Sequence, residues 1–222
     1  MPGKAGRSDL AVIRDLNRVD YADTLVRQKN YTQRRIKTSM DEFWLLEHDP
    51  VFSLGQNSKS EHVLTVGDIP LIQSDRGGQV TYHGPGQLVV YLLLDLKRKG
   101  LGIRQVVDGM ELAVIELLAS YGLSAEAKRS APGVYVDDAK ICSLGLRVSR
   151  SCTYHGLSLN VKMDLEPYSR INPCGFPGLT MVDLFALGAE VDMTEIKQEL
   201  VMLLLQRFDY QYQTPAGWVH GF

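Results

Sequence analysis

Cysteine is scarce in this 222-residue chain: the three present, Cys142, Cys152 and Cys174, form no CxxC pair and no Cys/His spacing of a zinc site. An odd and sparse set excludes a disulfide scaffold and fits reduced thiols in a reducing compartment. Long apolar runs are lacking too, since the longest, residues 88–94, is far too short to span a bilayer. No charge of one sign dominates, with 24 basic against 26 acidic residues and a net charge of −2, which argues against a nucleic-acid binder. Linkers, low-complexity segments and internal repeats are absent, so one domain over residues 10–222 is expected, large enough to bury its own core. Residues 1–9 are small and polar, without a basic-then-apolar leader; they read as a loose tail, and the protein is expected in the cytoplasm.

The elements follow from caps, turns and periodicity. Asp20 is placed to cap a helix running to about Lys37, with Tyr21 and Leu25 inward. Asp49-Pro50 separates two short strands, residues 43–48 and 51–54. Residues 80–83 read as another strand, and Gly84-Pro85-Gly86 turns the chain into 87–96, whose unbroken apolar run implies burial on both faces. Met110, Val114, Leu117, Leu118 and Tyr121 repeat at helical spacing until Gly122. Residues 133–136, 140–150 and 154–163 then read as strands joined by Asp137-Asp138 and a turn at 149–152, an antiparallel meander. In the last of them His155, Leu157, Leu159, Val161 and Met163 alternate against Tyr154, Gly156, Ser158, Asn160 and Lys162. Thr180 with Asp183 is placed to cap a short helix ending at Gly188, and Asp192 with Glu195 one running to about Arg207. The fold class is therefore α/β (α+β), one domain with a mixed, mostly antiparallel sheet flanked by helices; irregular alternation disfavours a doubly wound sheet.

Cys174 is the residue whose setting is chemical rather than structural. It lies in Asn172-Pro173-Cys174-Gly175-Phe176-Pro177-Gly178, where proline and glycine exclude a helix interior or central strand. A thiol on a stiff loop becomes a nucleophile when a base or cation adjoins it. Lys140, opening a strand at a turn, is a candidate partner, although spacing alone does not choose it over Lys128 or Lys162. His83 and His155 are alternative bases of a Cys-His hydrolase, or strand-end residues that order loops. Cys142, mid-strand among Leu144, Leu146 and Val148, reads as core. The run Arg76-Gly77-Gly78-Gln79 leads into a strand and lacks the Lys-Ser/Thr of a phosphate loop. With Ser143-Leu144-Gly145 and Gly156-Leu157-Ser158 it points to backbone closing on a slim ligand such as an acyl chain. Arg147, Arg150 and Lys162 are candidates for a small basic docking face.

A resemblance joins these segments. Arg76, Gly77, Gly78, Gln79, Val80, Thr81, Tyr82 and His83 with Gly84-Pro85-Gly86-Gln87, then Lys140-Ile141-Cys142-Ser143-Leu144-Gly145, then His155-Gly156-Leu157-Ser158-Leu159-Asn160, then Asn172-Pro173-Cys174-Gly175, resemble in that order the octanoyltransferases of lipoate biosynthesis. The likeness covers residues 16–209. It implies the fold of biotin and lipoate protein ligases and an acyltransferase without ATP or metal. The octanoyl group would arrive on the phosphopantetheine of acyl carrier protein and leave for a lysine on lipoyl domains of 2-oxoacid dehydrogenase and glycine cleavage proteins. Cys174 would carry the acyl thioester, and Lys140 would lower its pKa and move protons. Residues 76–83, Ser143, Leu144, Gly145, Gly156, Leu157 and Ser158 would bind substrate. The rivals are an ATP-dependent ligase or a lipoyl amidotransferase on the same fold, a Cys-His hydrolase, and a non-catalytic acyl-binding module.

Overall fold

The computed structural model describes residues 10–211 and 218–222; the tail expected over residues 1–9 lies outside the described residues. The strands are β1 (Ala11–Val19), β2 (Asp41–His48), β3 (Val51–Leu54), β4 (Leu71–Gln73), β5 (Thr81–His83), β6 (Gln87–Leu93), β7 (Glu126–Ala127), β8 (Gly133–Val136), β9 (Ala139–Ser149), β10 (Cys152–Asn160) and β11 (Trp218–His220). The helices are α1 (Tyr21–Arg34), α2 (Leu96–Lys99), α3 (Ile103–Ser120) and α4 (Met193–Arg207). Eight strands form one sheet in the order β11-β1-β2-β6-β10-β9-β8-β7. β1 runs parallel to both neighbours and the remaining pairs are antiparallel, so the sheet is mixed and mostly antiparallel, as expected. A second sheet has the order β4-β3-β5.

Local chemistry accounts for most of these elements. The Asp20 carboxylate accepts the Asp23 N–H, and Tyr21, Leu25 and Gln28 are the buried stripe of α1. That helix stops at Arg34, three residues before the expected end, because Arg35 turns extended. The Asp192 carboxylate accepts N–H groups of Thr194 and Glu195 to start α4. Asp137-Asp138 and Arg150-Ser151 all have positive φ, the type I′ pattern whose twist matches a hairpin, so β8, β9 and β10 form the expected meander. The strand expected over 87–96 ends at Leu93, and Asp95 caps the short α2.

The helix expected from Thr180 to Gly188 does not form. The Thr180 carbonyl accepts the Lys140 N–H, and the Asp183 carboxylate accepts N–H groups of Met163 and Ala186. With the Thr180 carbonyl held by β9 and the Asp183 carboxylate divided between Met163 and the local Ala186, only a turn forms over residues 184–188.

Packing divides the molecule into layers. Leu88, Val90 and Leu92 of β6 face α3 and α4 in the main core. Val89, Tyr91 and Leu93 face the opposite side, where α1 and the smaller sheet lie. Burial on both faces is why this strand reads as one apolar run. No helix among the described residues is long and apolar enough to cross a membrane.

Candidate active site

Cys174 sits on a single 3-10 turn, Pro173–Gly175, with φ 58° and ψ 14°. This left-handed backbone disfavours a side chain by about 1–2 kcal/mol, so the surroundings must hold it. They do so through backbone bonds: Cys174 N–H donates to Val80 O at 3.0 Å, Gly175 N–H to Asn172 O at 3.0 Å, and Asn172 N–H to His62 O at 2.8 Å. The loop is thereby pinned to the approach to β5.

Lys140 reaches this sulfur from the start of β9. Its Nζ lies 3.1 Å from Cys174 Sγ and donates to the Pro132 carbonyl at 2.9 Å. The residue is only 1% exposed. Burial presses the ammonium toward neutrality, but the Cys174 sulfur and the Tyr135 hydroxyl outweigh it, and the Lys140 pKa is raised. Lys140 therefore stays charged at neutral pH. The alternatives fall away: Lys128 pairs with Asp138 and Glu126, and Lys162 lies over the Phe185 ring. The Ser143 hydroxyl is 4.0 Å from the sulfur.

A cavity of about 340 Å³ opens beside this pair. Arg76, Gly77, Gly78, Gln79, Thr81 and His83 line one side, with Ser143, Leu144, Gly145, Gly156, Leu157 and Ser158 on the floor formed by β9 and β10. The three glycine-bearing segments thus meet. At Gly145 a side chain would press within 3.2 Å of Gly77 O and 3.3 Å of Arg76 Cδ, so the close approach explains the glycine. The buried Arg76 guanidinium shapes the loop by donating to Ser53, Gly77 O and Gln79 O. Val80 and Tyr82 point away, into an apolar cluster with Phe52, Tyr168 and Ile171; Val80 serves the site only through its carbonyl.

The histidines are not bases for the thiol. His83 donates from Nδ1 to Gln87 Oε1 at 2.7 Å and accepts from the Ser53 hydroxyl. Burial pushes its pKa well down. His155 donates from Nε2 to Asp75 at 3.0 Å, and burial lowers its pKa despite that carboxylate. Asp75 is itself opposed by burial, yet hydrogen bonds from His155 and Tyr154 hold it well below the usual carboxylate range. Backbone φ of +62° at His155 breaks the alternation of β10, so the ring stacks on Tyr154 and lines the cavity instead of joining Leu159 and Val161 in the main core. Cys142 is core, with burial pushing its thiol up to about 12. Cys152 opens β10 and is buried. Arg147 bonds Gln56 and Arg150, at the turn between β9 and β10, bonds Gln33 O, while Lys162 lies past the opposite end of β10, over the Phe185 ring. Those three cations form no single patch. Tyr21, Tyr91 and Pro132 also line the cavity, unforeseen because nothing in their spacing marks them.

Residues 20–204 match the family described as lipoyl protein ligase A/B catalytic domain. An octanoyltransferase of Marinomonas sp. (strain MWYL1) is 53% identical over 93% of this chain and 97% of its own length. Another, from Pseudomonas fluorescens (strain Pf0-1), is 51% identical over 96% and 97%. Among solved structures, lipoate-protein ligase A bound with ATP superposes with a TM-score of 0.77 at 14% identity, covering 92% of this chain and 87% of that one. Biotin protein ligase from Aquifex aeolicus in complex with biotin and ATP gives a TM-score of 0.56 at 16% identity, over 89% and 70%. The fold is thus shared with both ligase types, and the extent of the family match together with the identity to the octanoyltransferases establishes that this chain belongs to the lipoyl protein ligase A/B catalytic domain family, among its octanoyltransferases.

Proposed function

We propose that this enzyme moves an octanoyl group from the phosphopantetheine thioester of acyl carrier protein to Cys174, and then to the ε-amine of a lysine on a lipoyl domain. The acceptors in this reading are the lipoyl domains of 2-oxoacid dehydrogenases and of glycine cleavage proteins. The observation that carries it is the Lys140 ammonium 3.1 Å from the Cys174 sulfur at the end of a mostly apolar cavity. In the first step the sulfur of Cys174, its proton already resident on the Lys140 ammonium, attacks the donor carbonyl. The carbon–sulfur bond to the carrier breaks, and the carrier thiol leaves with a proton from Lys140. In the second, the acceptor amine attacks the Cys174 thioester; the amide forms and the amine's surplus proton returns the enzyme to its starting state. One thioester replaces another and an amide ends the sequence, so neither ATP nor a metal is required. A ligase of this fold activates its acid as an adenylate and has no use for a thiol beside the lysine, which favours the transfer reading.

Intact-mass measurement after incubation with octanoyl carrier protein, without ATP, tests this. One octanoyl adduct is expected on the wild type and none on Cys174→Ser. Lys140→Ala should load it about 10²-fold more slowly or worse, the usual worth of a positioned acid–base. Equal loading of Cys174→Ser, or a strict need for ATP, would overturn the proposal.

A further inference from the structure

Glu111 is the one ionisable member of the buried face of α3, in a stripe otherwise built from residues such as Val106, Met110, Val114 and Leu117. It is 4% exposed, and a buried carboxylate needs a polar or charged answer. Its Oε1 accepts the Gly133 N–H at 3.1 Å. That N–H belongs to the same peptide group as the Pro132 carbonyl, which accepts from Lys140 Nζ at 2.9 Å. In a trans peptide the two ends point in opposite directions, here one at the carboxylate and one at the ammonium. A row results: Glu111 carboxylate, peptide, Lys140 ammonium and, at 3.1 Å, the Cys174 sulfur. Hydrogen bonds in such a row polarise one another, and bond lengths place the carboxylate no more than about 8 Å from the ammonium.

The other titratable groups around the pair do not replace this charge. Burial opposes the charge on Lys140, and the Cys174 sulfur and the Tyr135 hydroxyl of β8 oppose burial. Cys142 of β9 is a neutral thiol, pushed up to about 12 by burial. Burial raises the Glu111 pKa; the Gly133 N–H, Arg104 and Lys140 act against that rise and Asp108 adds to it. Arg104 and Asp108 pair with each other at 2.8 Å. Once the sulfur is acylated it is neutral, and the main support of the lysine charge is gone. Glu111 is untouched by the reaction.

Resting on the acyl-transfer reading above, we propose that Glu111 is a positioning residue that acts through the Pro132–Gly133 peptide to keep Lys140 basic at the acyl-enzyme stage. Lys140 has then given its proton to the departing carrier thiol. It must take one from the acceptor amine as the carbon–nitrogen bond forms and the bond from carbon to the Cys174 sulfur breaks. A negative charge held behind it favours that uptake.

Glu111→Gln keeps an oxygen for the Gly133 N–H and removes the charge. Cys174→Ala imitates the uncharged sulfur, and on that background NMR of protein labelled with carbon-13 lysine follows the titration of Lys140. Adding Glu111→Gln should lower the Lys140 pKa by about half a unit or more, whereas Glu111→Asp, which retains the charge, should lower it less. With Cys174 in place, Glu111→Gln should load octanoyl within about twofold of the wild type but form the amide about threefold more slowly, as a weaker base would. An unchanged Lys140 titration, or equal slowing of both steps, would overturn the role. Failure of the wild type to load octanoyl would remove the acyl-transfer reading itself; the titration, made without an acyl donor, tells that failure apart from loss of the coupling.

Discussion

A β-carbon at position 133 would lie 2.3 Å from Lys140 Cε and 2.7 Å from the Cys142 carbonyl oxygen, on a backbone of φ +146°. Gly133 thus clears the path by which the Lys140 side chain crosses β8 to reach the sulfur. Gly133→Ala should displace the ammonium and slow alkylation of Cys174 by iodoacetamide roughly tenfold or more, as expected for a lost charge-assisted hydrogen bond. An unchanged alkylation rate in a folded variant would contradict that role. The same detail explains what the sequence could and could not say about the site. Cys174 was legible because its neighbours exclude regular structure. The choice among Lys140, Lys128 and Lys162 was not legible from spacing, since it depends on the Pro132 carbonyl and on the missing side chain opposite. The alternation of β5 likewise sends Val80 and Tyr82 away from a cavity that Thr81 and His83 line.

Among the elements, α1 links stability to the site, because its first residue, Tyr21, is part of the cavity wall. Removing its cap with Asp20→Ala should cost about 1 kcal/mol, seen as a lower urea midpoint with unchanged slope. A midpoint matching the wild type would show that tertiary packing alone holds the helix start. Caps and periodicities of this kind are local, which is why α1, α3, α4 and the β8–β10 meander could be read from residues. β1 was not assigned: a bulge shifts its register between Asp15 and Arg18, with Asn17 at φ 53°, so the buried Ile13 and Leu16 fall three apart rather than two. Strands as short as β4, β7 and β11 carry no usable period. The segment after Thr180 misled because the Lys140 N–H, remote in the chain, bonds the Thr180 carbonyl, and the Asp183 carboxylate is divided between Met163 and Ala186.

For the molecule as a whole, three buried histidines set the acid limit of stability. Burial pushes His48 down to about 4 and lowers His83 and His155 as well. Each takes up a proton near pH ~6.5 once unfolded, but resists it when folded. Below that pH the unfolded state binds more protons, so stability falls with falling pH, by up to ~1.4 kcal/mol per unit for each histidine until its folded pKa is reached. Loss of the Asp75 bonds adds to this only below pH ~4, where the free carboxylate protonates. The melting temperature should therefore drop between pH 7.5 and pH 5, and less steeply in His48→Gln; a flat profile would contradict the neutral cluster. The chain passes from the large sheet to the small one at Asp49-Pro50 and returns at residues 84–86. Two covalent tethers consequently bound the smaller sheet, so the spacing between the walls that Thr81 and His83 on one side and β10 on the other give the cavity is held by the chain itself.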